Sequence, residues 1–295
     1  SLKSKKMTHH VVGININSTP YHLLGPDGGW ECLDGSLTSV VCTADAQIWG
    51  VNVNNDIYYK SSPMDGWHKI DGALTSVTVS ADGNHVISEL GGSVLYRAGR
   101  DGEWSNIEGD GLSFSKVYIN SDGSRIFGVA DNSVYHTGTA GEGGWQKVSG
   151  GLAETNLKMA TPSVMEFLKG FTPEINAIAF SDDAEHIYGL TSANECYYKH
   201  GLEAGWQQLD GQFKDIFCST DGEHVYGHKE DDTMQYKNGN NGDWEAIDGG
   251  VSILSVTNDG QHLWGINAAG LIYYRPGKDG PWKLIPGSLT SIFCI

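Results

Sequence analysis

Short apolar runs alternate with polar turns along almost the whole chain. Residues 48–51 and 57–60 are two such runs joined by a polar turn, and a third run opens on Trp67. Residues 263–275 repeat the same pair of runs, and they too are followed by a run that opens on Trp. Apolar runs this short, bounded by turns, predict β-strands rather than helices.

The third run carries the motif Trp-x-x-(Ile/Leu/Val)-x-Gly, which occurs seven times. Its anchors are Trp30, Trp67, Trp104, Trp145, Trp206, Trp244 and Trp282. Successive anchors are 37 to 41 residues apart, except for one spacing of 61 residues after Trp145. A period near 40 residues that is built from short strands is typical of the blades of a β-propeller.

Two further landmarks complete the repeat. An Asp-Gly or Asp-Asp pair, which suits a tight turn, precedes the second strand in five units. The third strand ends in Tyr followed by a basic residue in all seven units, at Tyr21-His22, Tyr59-Lys60, Tyr96-Arg97, Tyr135-His136, Tyr198-Lys199, Tyr236-Lys237 and Tyr274-Arg275. Each unit therefore contains four strands.

The two ends of the chain complement each other. Residues 9–29 supply strands without a preceding Trp strand of their own, and residues 288–295 supply the first half of a unit with nothing after it. We therefore predict an all-β fold, a seven-bladed β-propeller of four-stranded blades that is closed by a composite blade from both termini. Residues 9–295 form this single domain, and residues 1–8 are expected to be a flexible N-terminal arm.

Residues 152–173 lengthen the fourth unit and interrupt the repeat. Within this insertion, residues 161–170 predict one short helix, with Thr161 as its N-cap, Pro162 at its first position and Gly170 after its end. Two roles are open. The helix either covers a blade flank or the mouth of the channel, or it is an arm that binds a partner or a second copy of the chain.

Composition narrows the classes of partner and compartment. The formal net charge of −17 disfavours binding to nucleic acid or to anionic membranes. No apolar run approaches the roughly 18 residues of a membrane-spanning helix, and no secretory signal is visible. Of the five cysteines, Cys42, Cys218 and Cys294 share one position of the repeat, which favours core packing over disulfides. We expect a cytoplasmic or non-classically secreted protein.

The repeat resembles that of the tectonin family. The resemblance rests on residues 48–60 and 263–275, and on the Trp motifs followed by Ser36-Leu37-Thr38-Ser39-Val40 and Ala73-Leu74-Thr75-Ser76-Val77. It implies a β-propeller, and in many members a lectin that binds cell-surface sugars, including bacterial lipopolysaccharide and methylated or N-acetylated sugars. Several members serve innate defence, and others are interaction modules within larger proteins.

A Gly-(Val/Ile)-Asn motif distinguishes three units that ring closure makes neighbours. Its amides could bind vicinal hydroxyls, and the aromatic and basic residues beside them could add stacking and charge. The ligand-binding candidates are Asn15, Tyr21, Trp49, Asn52, Tyr59, Lys60, Trp264, Asn267, Tyr274 and Arg275. Two alternatives stay open: Asn suits the start of a turn, and a Trp that every blade needs is more often a packing residue.

The leading hypothesis is a lectin that binds glycans multivalently. The alternatives are a protein-interaction propeller without sugar binding, and a hydrolase with residues in the central channel. We expect no enzymatic activity, cofactor or metal, because no catalytic or ligand-spacing motif is recognisable. The recurring His85, His186, His224 and His262 fall one per blade and are interpreted as a repeat preference. Homodimerisation is left open.

Overall fold

The computed structural model describes residues 9–148 and 173–295. These residues form seven four-stranded antiparallel sheets, the blades of a β-propeller. The first blade contains Ser39–Cys42 (β4), Ile48–Val51 (β5), Ile57–Lys60 (β6) and His68–Ile70 (β7). The second blade contains Thr78–Val79 (β8), His85–Leu90 (β9), Ser93–Ala98 (β10) and Trp104–Ile107 (β11). The third blade contains Phe114–Ile119 (β12), Arg125–Ala130 (β13), Ser133–Gly138 (β14) and Gln146–Lys147 (β15). A 3-10 turn, Thr139–Gly141, precedes β15.

Blades four to six continue the same order after the insertion. The fourth blade contains Ile175–Phe180 (β16), His186–Thr191 (β17), Glu195–His200 (β18) and Gln207–Gln212 (β19). The fifth blade contains Asp215–Cys218 (β20), His224–His228 (β21), Thr233–Asn238 (β22) and Glu245–Gly250 (β23). The sixth blade contains Ile253–Val256 (β24), His262–Ile266 (β25), Leu271–Pro276 (β26) and Lys283–Ser288 (β27). First strands of consecutive blades contact one another, as β4 does β8 and β16 does β20. The first strands therefore form the inner wall of the ring.

The seventh blade is built from both ends of the chain, which confirms the predicted closure. It contains Ser291–Cys294 (β28), His10–Ile14 (β1), Pro20–Leu24 (β2) and Glu31–Cys32 (β3), in that order across the sheet. The antiparallel pairing of β1 with β28 sets Val11 opposite Cys294 and Ile14 opposite Ser291. This pairing satisfies two strand edges that would otherwise be open to solvent or to another chain.

Two sequence predictions concern residues that are not described. The flexible arm 1–8 lies outside the described residues, and so does the helix predicted over 161–170. Of the insertion 152–173, the structure describes only its last residue. Both remain predictions.

The core consists of seven clusters, each packed between neighbouring blades. The aromatic residue of the second strand is central to them: Trp49 and Trp264 are fully buried, as are Phe127, Tyr188 and Tyr226 in other blades. The glycine that follows has a steric role, because a Cβ on Gly50 would lie 2.4 Å from Leu37 Cδ1. Leu37 precedes β4, so this glycine allows the link between two blades to pack over the sheet.

The closing seam contains two histidine contacts. His9 stacks on His262 with ring centroids 4.2 Å apart, and its Nε2 accepts a hydrogen bond from the Nε1 of Trp264 at 2.9 Å. His10 Nδ1 lies 2.9 Å from His22 Nε2. The first contact requires an unprotonated Nε2 on His9, and the second holds a single proton between two rings. The ring of His9 is therefore neutral, and at least one ring of the His10–His22 pair is neutral as well.

We expect acid to weaken the seam. Burial and then the neighbouring His262 lower the pKa of His9 from 6.5 to about 4, against the opposing effect of Asp259. Burial also lowers the pKa of His10 and of His22, despite the nearby Asp45 and Glu31. The unfolded chain thus binds more protons below the ordinary pKa. The stability that these neutral histidines contribute should be fully present above pH 6.5 and be lost as the pH drops toward 4. His9 alone should account for a decrease of about 3 kcal/mol in the free energy of unfolding.

The measurement is chemical denaturation at a series of pH values. His9→Gln keeps a hydrogen-bond acceptor for Trp264 but does not titrate, so this variant should lose part of the acid sensitivity. An unchanged pH dependence in the variant would contradict the assignment to His9.

Candidate functional site

The strand register corrects the sequence alignment of two tyrosines. Gly50 pairs with Tyr58 on the next strand, and the equivalent Gly13 pairs with Tyr21. Tyr21 therefore corresponds to Tyr58, not to Tyr59 as the Tyr-basic pattern indicated. The same shift applies to Tyr135, which pairs with Gly128. The pattern was wrong in these two units because consecutive strand residues point to opposite faces, and sequence alone did not fix the register.

The three motif asparagines open the turns between second and third strands. Asn15 Oδ1 accepts hydrogen bonds from the N–H groups of Asn17 and Thr19, at 2.9 and 3.0 Å. The Oδ1 atoms of Asn52 and Asn267 each accept two backbone N–H groups in the same way. Each side chain thereby replaces backbone acceptors inside a tight turn. The carbonyl half of every amide is committed to this turn.

Trp49 and Trp264 lie in the core. Both are fully buried, and their rings lie 4.9 and 5.0 Å from those of Tyr59 and Tyr274. The two tyrosine hydroxyls bond within the blade or at its edge, Tyr59 to Gln47 at 3.1 Å and Tyr274 to His262 Nδ1 at 2.8 Å. These four residues pack the blade and present little surface to a ligand.

The basic candidates hold the loop between the third and fourth strands of their own blade. Lys60 Nζ donates to the carbonyls of Pro63 and Asp65, at 3.2 and 2.6 Å, and lies 5.2 Å from the centroid of Trp67. Arg275 donates to Gly277 in the same loop of its blade and stacks 5.7 Å over Trp282. Both side chains are buried, only 4 % exposed. The charge of Lys60 is thus shared between carbonyl oxygens and an indole face. Arg275 also pairs with the carboxylate of Asp248 in the preceding blade, at 2.5 Å.

We expect Lys60→Met to destabilise the protein, because two loop carbonyls would lose a charged donor. The expected loss is on the order of 1–3 kcal/mol, measured as the free energy of unfolding in urea. Lys69→Met in the same blade is the matched control, since Lys69 Nζ pairs with Asp56 at 2.7 Å on the surface and should contribute much less to stability than Lys60. Equal effects of the two substitutions would contradict the loop-holding role.

The seven anchor tryptophans differ in how their indole N–H is used. Three of them donate to a carbonyl of the preceding blade: Trp67 to Leu33, Trp104 to Asp71 and Trp282 to Asp248, at 2.7 to 2.8 Å. Two instead pack against a phenylalanine in a tilted arrangement, Trp145 against Phe114 and Trp244 against Phe213, with ring centroids 4.2 and 4.5 Å apart. Trp206 is only 1 % exposed.

Trp30 follows neither pattern. Its Nε1 is buried without a hydrogen-bond partner among the residues described, as are those of Trp145 and Trp244, but the residue opposite is Leu289 rather than Phe. A cavity of about 310 Å³ opens beside it, at the junction of blade six and the composite blade, and Asn15, Tyr21, Ile272, Gly287, Ser288 and Leu289 complete its lining. We call this cavity the Trp30 groove.

The Trp30 groove combines an indole, a phenol and aliphatic walls with a few polar groups. It brings together only two of the ten predicted residues, Asn15 and Tyr21. The other candidates lie in neighbouring blades. Sequence reasoning did not single out Trp30, because its motif looks like the other six. The available signal was Pro286, which occupies the position of Asp34, Asp71 and Asp248 in the other motifs.

The equivalent junction of blades four and five holds a larger cavity of different chemistry. It measures about 840 Å³, and its lining includes Glu195, Asp210, Glu230 and Asp231 but no aromatic residue. Lys229 lies where the Trp30 groove has Asn15. Like-charged carboxylates on open walls suit solvent rather than a neutral ligand.

Metal and membrane features are absent from the described part of the chain. Residues 9–148 and 173–295 contain no group of three or more His, Cys, Asp or Glu side chains placed to hold a metal ion. Four of the recurring histidines bond to a tyrosine hydroxyl of their own blade, as His85 does to Tyr96 at 2.8 Å. The same ranges contain no helix with the length and apolar character needed to cross a membrane.

The fold and its repeat define a seven-bladed β-propeller with a composite closing blade. A family model described as the Tectonin domain matches residues 6–131 and 175–294. The protein belongs to the tectonin family. This finding confirms the resemblance that the repeat motifs indicated. No curated protein matches the chain.

Solved structures with the same architecture are distant in sequence. The chain is similar to the β-propeller domain of Cps50 (Swd1) from Myceliophteria thermophila, at 10% identity and a TM-score of 0.63, with 87% of this chain and 88% of that one covered. It is also similar to a putative 6-phosphogluconolactonase from Bacteroides uniformis, at 12% identity and a TM-score of 0.62, with 98% of this chain and 99% of that one covered. The structure of YCF48 bound to D1 peptide is similar at 13% identity and a TM-score of 0.58, with 93% of this chain and 84% of that one covered. Identities this low show the fold alone.

Proposed function

We propose that the protein is a carbohydrate-binding lectin and that the Trp30 groove holds one sugar residue. The observation that carries the proposal is that the indole of Trp30 lines an open cavity, while its N–H, like those of Trp145 and Trp244, has no partner among the described residues. A pyranose has one face of C–H groups, which suits an aromatic plane, and hydroxyls at its edge, which suit polar groups. A buried donor without a partner is costly unless a ligand satisfies it.

The walls of the groove favour a substituted sugar. Ile272 and Leu289 provide aliphatic surface, while Tyr21, Ser288 and the amide of Asn15 provide polar atoms at the edge. A methyl or N-acetyl group on the sugar would bury apolar area against the aliphatic walls. We therefore favour terminal methylated or N-acetylated sugars, such as those on microbial glycans including lipopolysaccharide. A role in innate defence is part of this proposal.

A single shallow groove gives weak binding, so multivalency would have to come from repeated sites. Three equivalent sites on one arc remain a prediction. At the neighbouring junctions the indoles of Trp67 and Trp282 already donate to protein carbonyls, which makes these two sites weaker candidates than the Trp30 groove. A homodimer would present two such grooves, and dense glycans would then engage both.

We expect Trp30→Leu to lower the affinity for the best glycan of a glycan array by about tenfold or more, equivalent to roughly 1.4 kcal/mol. Trp282→Leu is the matched control, since its indole is satisfied within the protein; it should cost stability and keep binding. Affinities are measured by titration calorimetry. Spectra of ¹⁵N-labelled protein should show the indole N–H of Trp30 shifting on addition of the glycan. Binding that survives Trp30→Leu, or shifts confined to other indoles, would contradict the site.

A protein-interaction propeller is the second candidate. Ile16 and Val53 are 83% and 79% exposed, and they follow Asn15 and Asn52 at the tips of two neighbouring turns. Exposed aliphatic side chains at adjacent tips are typical of protein contacts. YCF48, which is similar only in fold, is described with a bound peptide. A silent glycan array together with a specific partner that Ile16→Ser and Val53→Ser release would favour this candidate.

A further inference from the structure

A third cavity lies at the opposite edge of the ring from the Trp30 groove. It measures about 730 Å³ and lies between blades four and five, where the third strands end and the second strands begin. His186, Tyr198, His200, Glu223 and Asn240 are among its lining residues. Tyr198 belongs to the Tyr-basic pairs of the repeat, so the same position can be compared in other blades.

At two other junctions, a cation from the next blade covers the equivalent tyrosine. The guanidinium carbon of Arg100 lies 5.6 Å from the ring centroid of Tyr59, and Lys278 Nζ lies 5.1 Å from that of Tyr236. A cation over the face of a phenol ring is attracted by the ring quadrupole. Two junctions of the ring thus place a positive charge above this tyrosine. At two others the same position is held by Pro63 and Leu202.

Asn240 holds that position at the junction of blades four and five. It stands three residues after Lys237, as Lys278 does after Arg275 and Arg100 after Arg97. An amide carries no charge, and Asn240 Oδ1 is buried without a hydrogen-bond partner among the described residues. The position above Tyr198 therefore lacks the cation that those two junctions carry, and Asn240 provides an acceptor that a cation could satisfy.

The walls of the cavity also differ from those of the next junction. There, the Nε2 of Gln261 lies 2.7 Å from the Nε2 of His224, which closes the space above Tyr236. Glu223 holds the corresponding position at the cavity, and Asp221 lines it as well. Glu185 lies behind this wall, where its carboxylate is 3.4 Å from Nε2 of the lining residue His200. These charges lower the energy of a positive group in the cavity.

We propose that this cavity binds the ammonium or guanidinium group of a ligand, seated over Tyr198 and donating to Asn240 Oδ1 and the carboxylate of Glu223. Two kinds of ligand carry such a group: an amino sugar, or a lysine or arginine side chain of a peptide. The inference is independent of the proposed sugar site, because the two cavities open at opposite edges of the blades and share no residue.

The test uses the full chain and four small probes, followed by NMR and calorimetry. Nα-acetyl-lysine methylamide is compared with its Nε-acetyl derivative, and glucosamine is compared with N-acetylglucosamine. We expect the charged member of at least one pair to bind, and its acetylated partner to bind about tenfold more weakly or not at all. Binding should also weaken as salt is raised. The pair that responds identifies the source of the cation.

Substitutions in the cavity make the assignment decisive. Asn240→Lys should supply the missing cation from within the chain and lower the affinity for the charged probe by about tenfold, with no loss of thermal stability. Glu223→Gln should also lower the affinity for the charged probe, because it removes a negative charge without adding bulk. The double change Lys278→Asn with Gln261→Glu should create an equivalent site in the next blade. Unchanged binding by Asn240→Lys and Glu223→Gln, or equal binding of charged and acetylated probes, would overturn the proposal.

Discussion

Each blade of this protein is a thin sheet that buries its apolar faces only against its neighbours. The fully buried aromatic residues, such as Trp49 and Trp264, lie between sheets and not within one. A ring of such sheets is stable only if it has no open end. The pairing of β1 with β28 provides that closure, and it joins residues at opposite ends of the chain. The packing of all seven blades therefore depends on four residue pairs at the seam.

The seam differs from the other junctions because the chain is interrupted there. At three other junctions, the turn between first and second strands packs a glycine against a histidine ring of the preceding blade: Gly123 against His85, Gly222 against His186 and Gly260 against His224. At the seam no such turn exists, and His9 fills the space against His262. A hydrogen bond from the buried Trp264 then fixes the ring of His9. The closing contact thus depends on neutral histidines, a dependence that a continuous turn would not have.

Most residues that recur in the repeat serve the blade itself. Buried cations such as Lys60 hold a loop and stack on an indole, motif asparagines complete turns, and most anchor tryptophans bond or stack within the ring. The candidate sites lie where one junction departs from this scheme. Trp30 has neither the carbonyl bond of Trp67 nor the phenylalanine contact of Trp145, and Asn240 lacks the charge that two other junctions carry. In a repeat protein, such a departure frees groups that equivalent blades use internally.

The sequence by itself determined the strand pattern, the number of blades, the composite closure and the family. These properties follow from apolar periodicity and repeat spacing, which are local and recur seven times, so that errors in one unit are corrected by the others. The role of Asn52 in its turn was also foreseeable as the alternative to sugar binding, since an Asn at the start of a turn accepts hydrogen bonds from nearby backbone N–H groups.

Only the tertiary structure decided which residues meet between blades. Trp30, Ile272 and Leu289 are far apart in the chain and become neighbours through ring closure. The strand register, which no local pattern fixed, assigned Tyr21 to the same position as Tyr58 and so placed it beside Trp30. The physical reason is that a cavity between sheets depends on side chains from two blades at once. A repeat motif reports on one blade at a time.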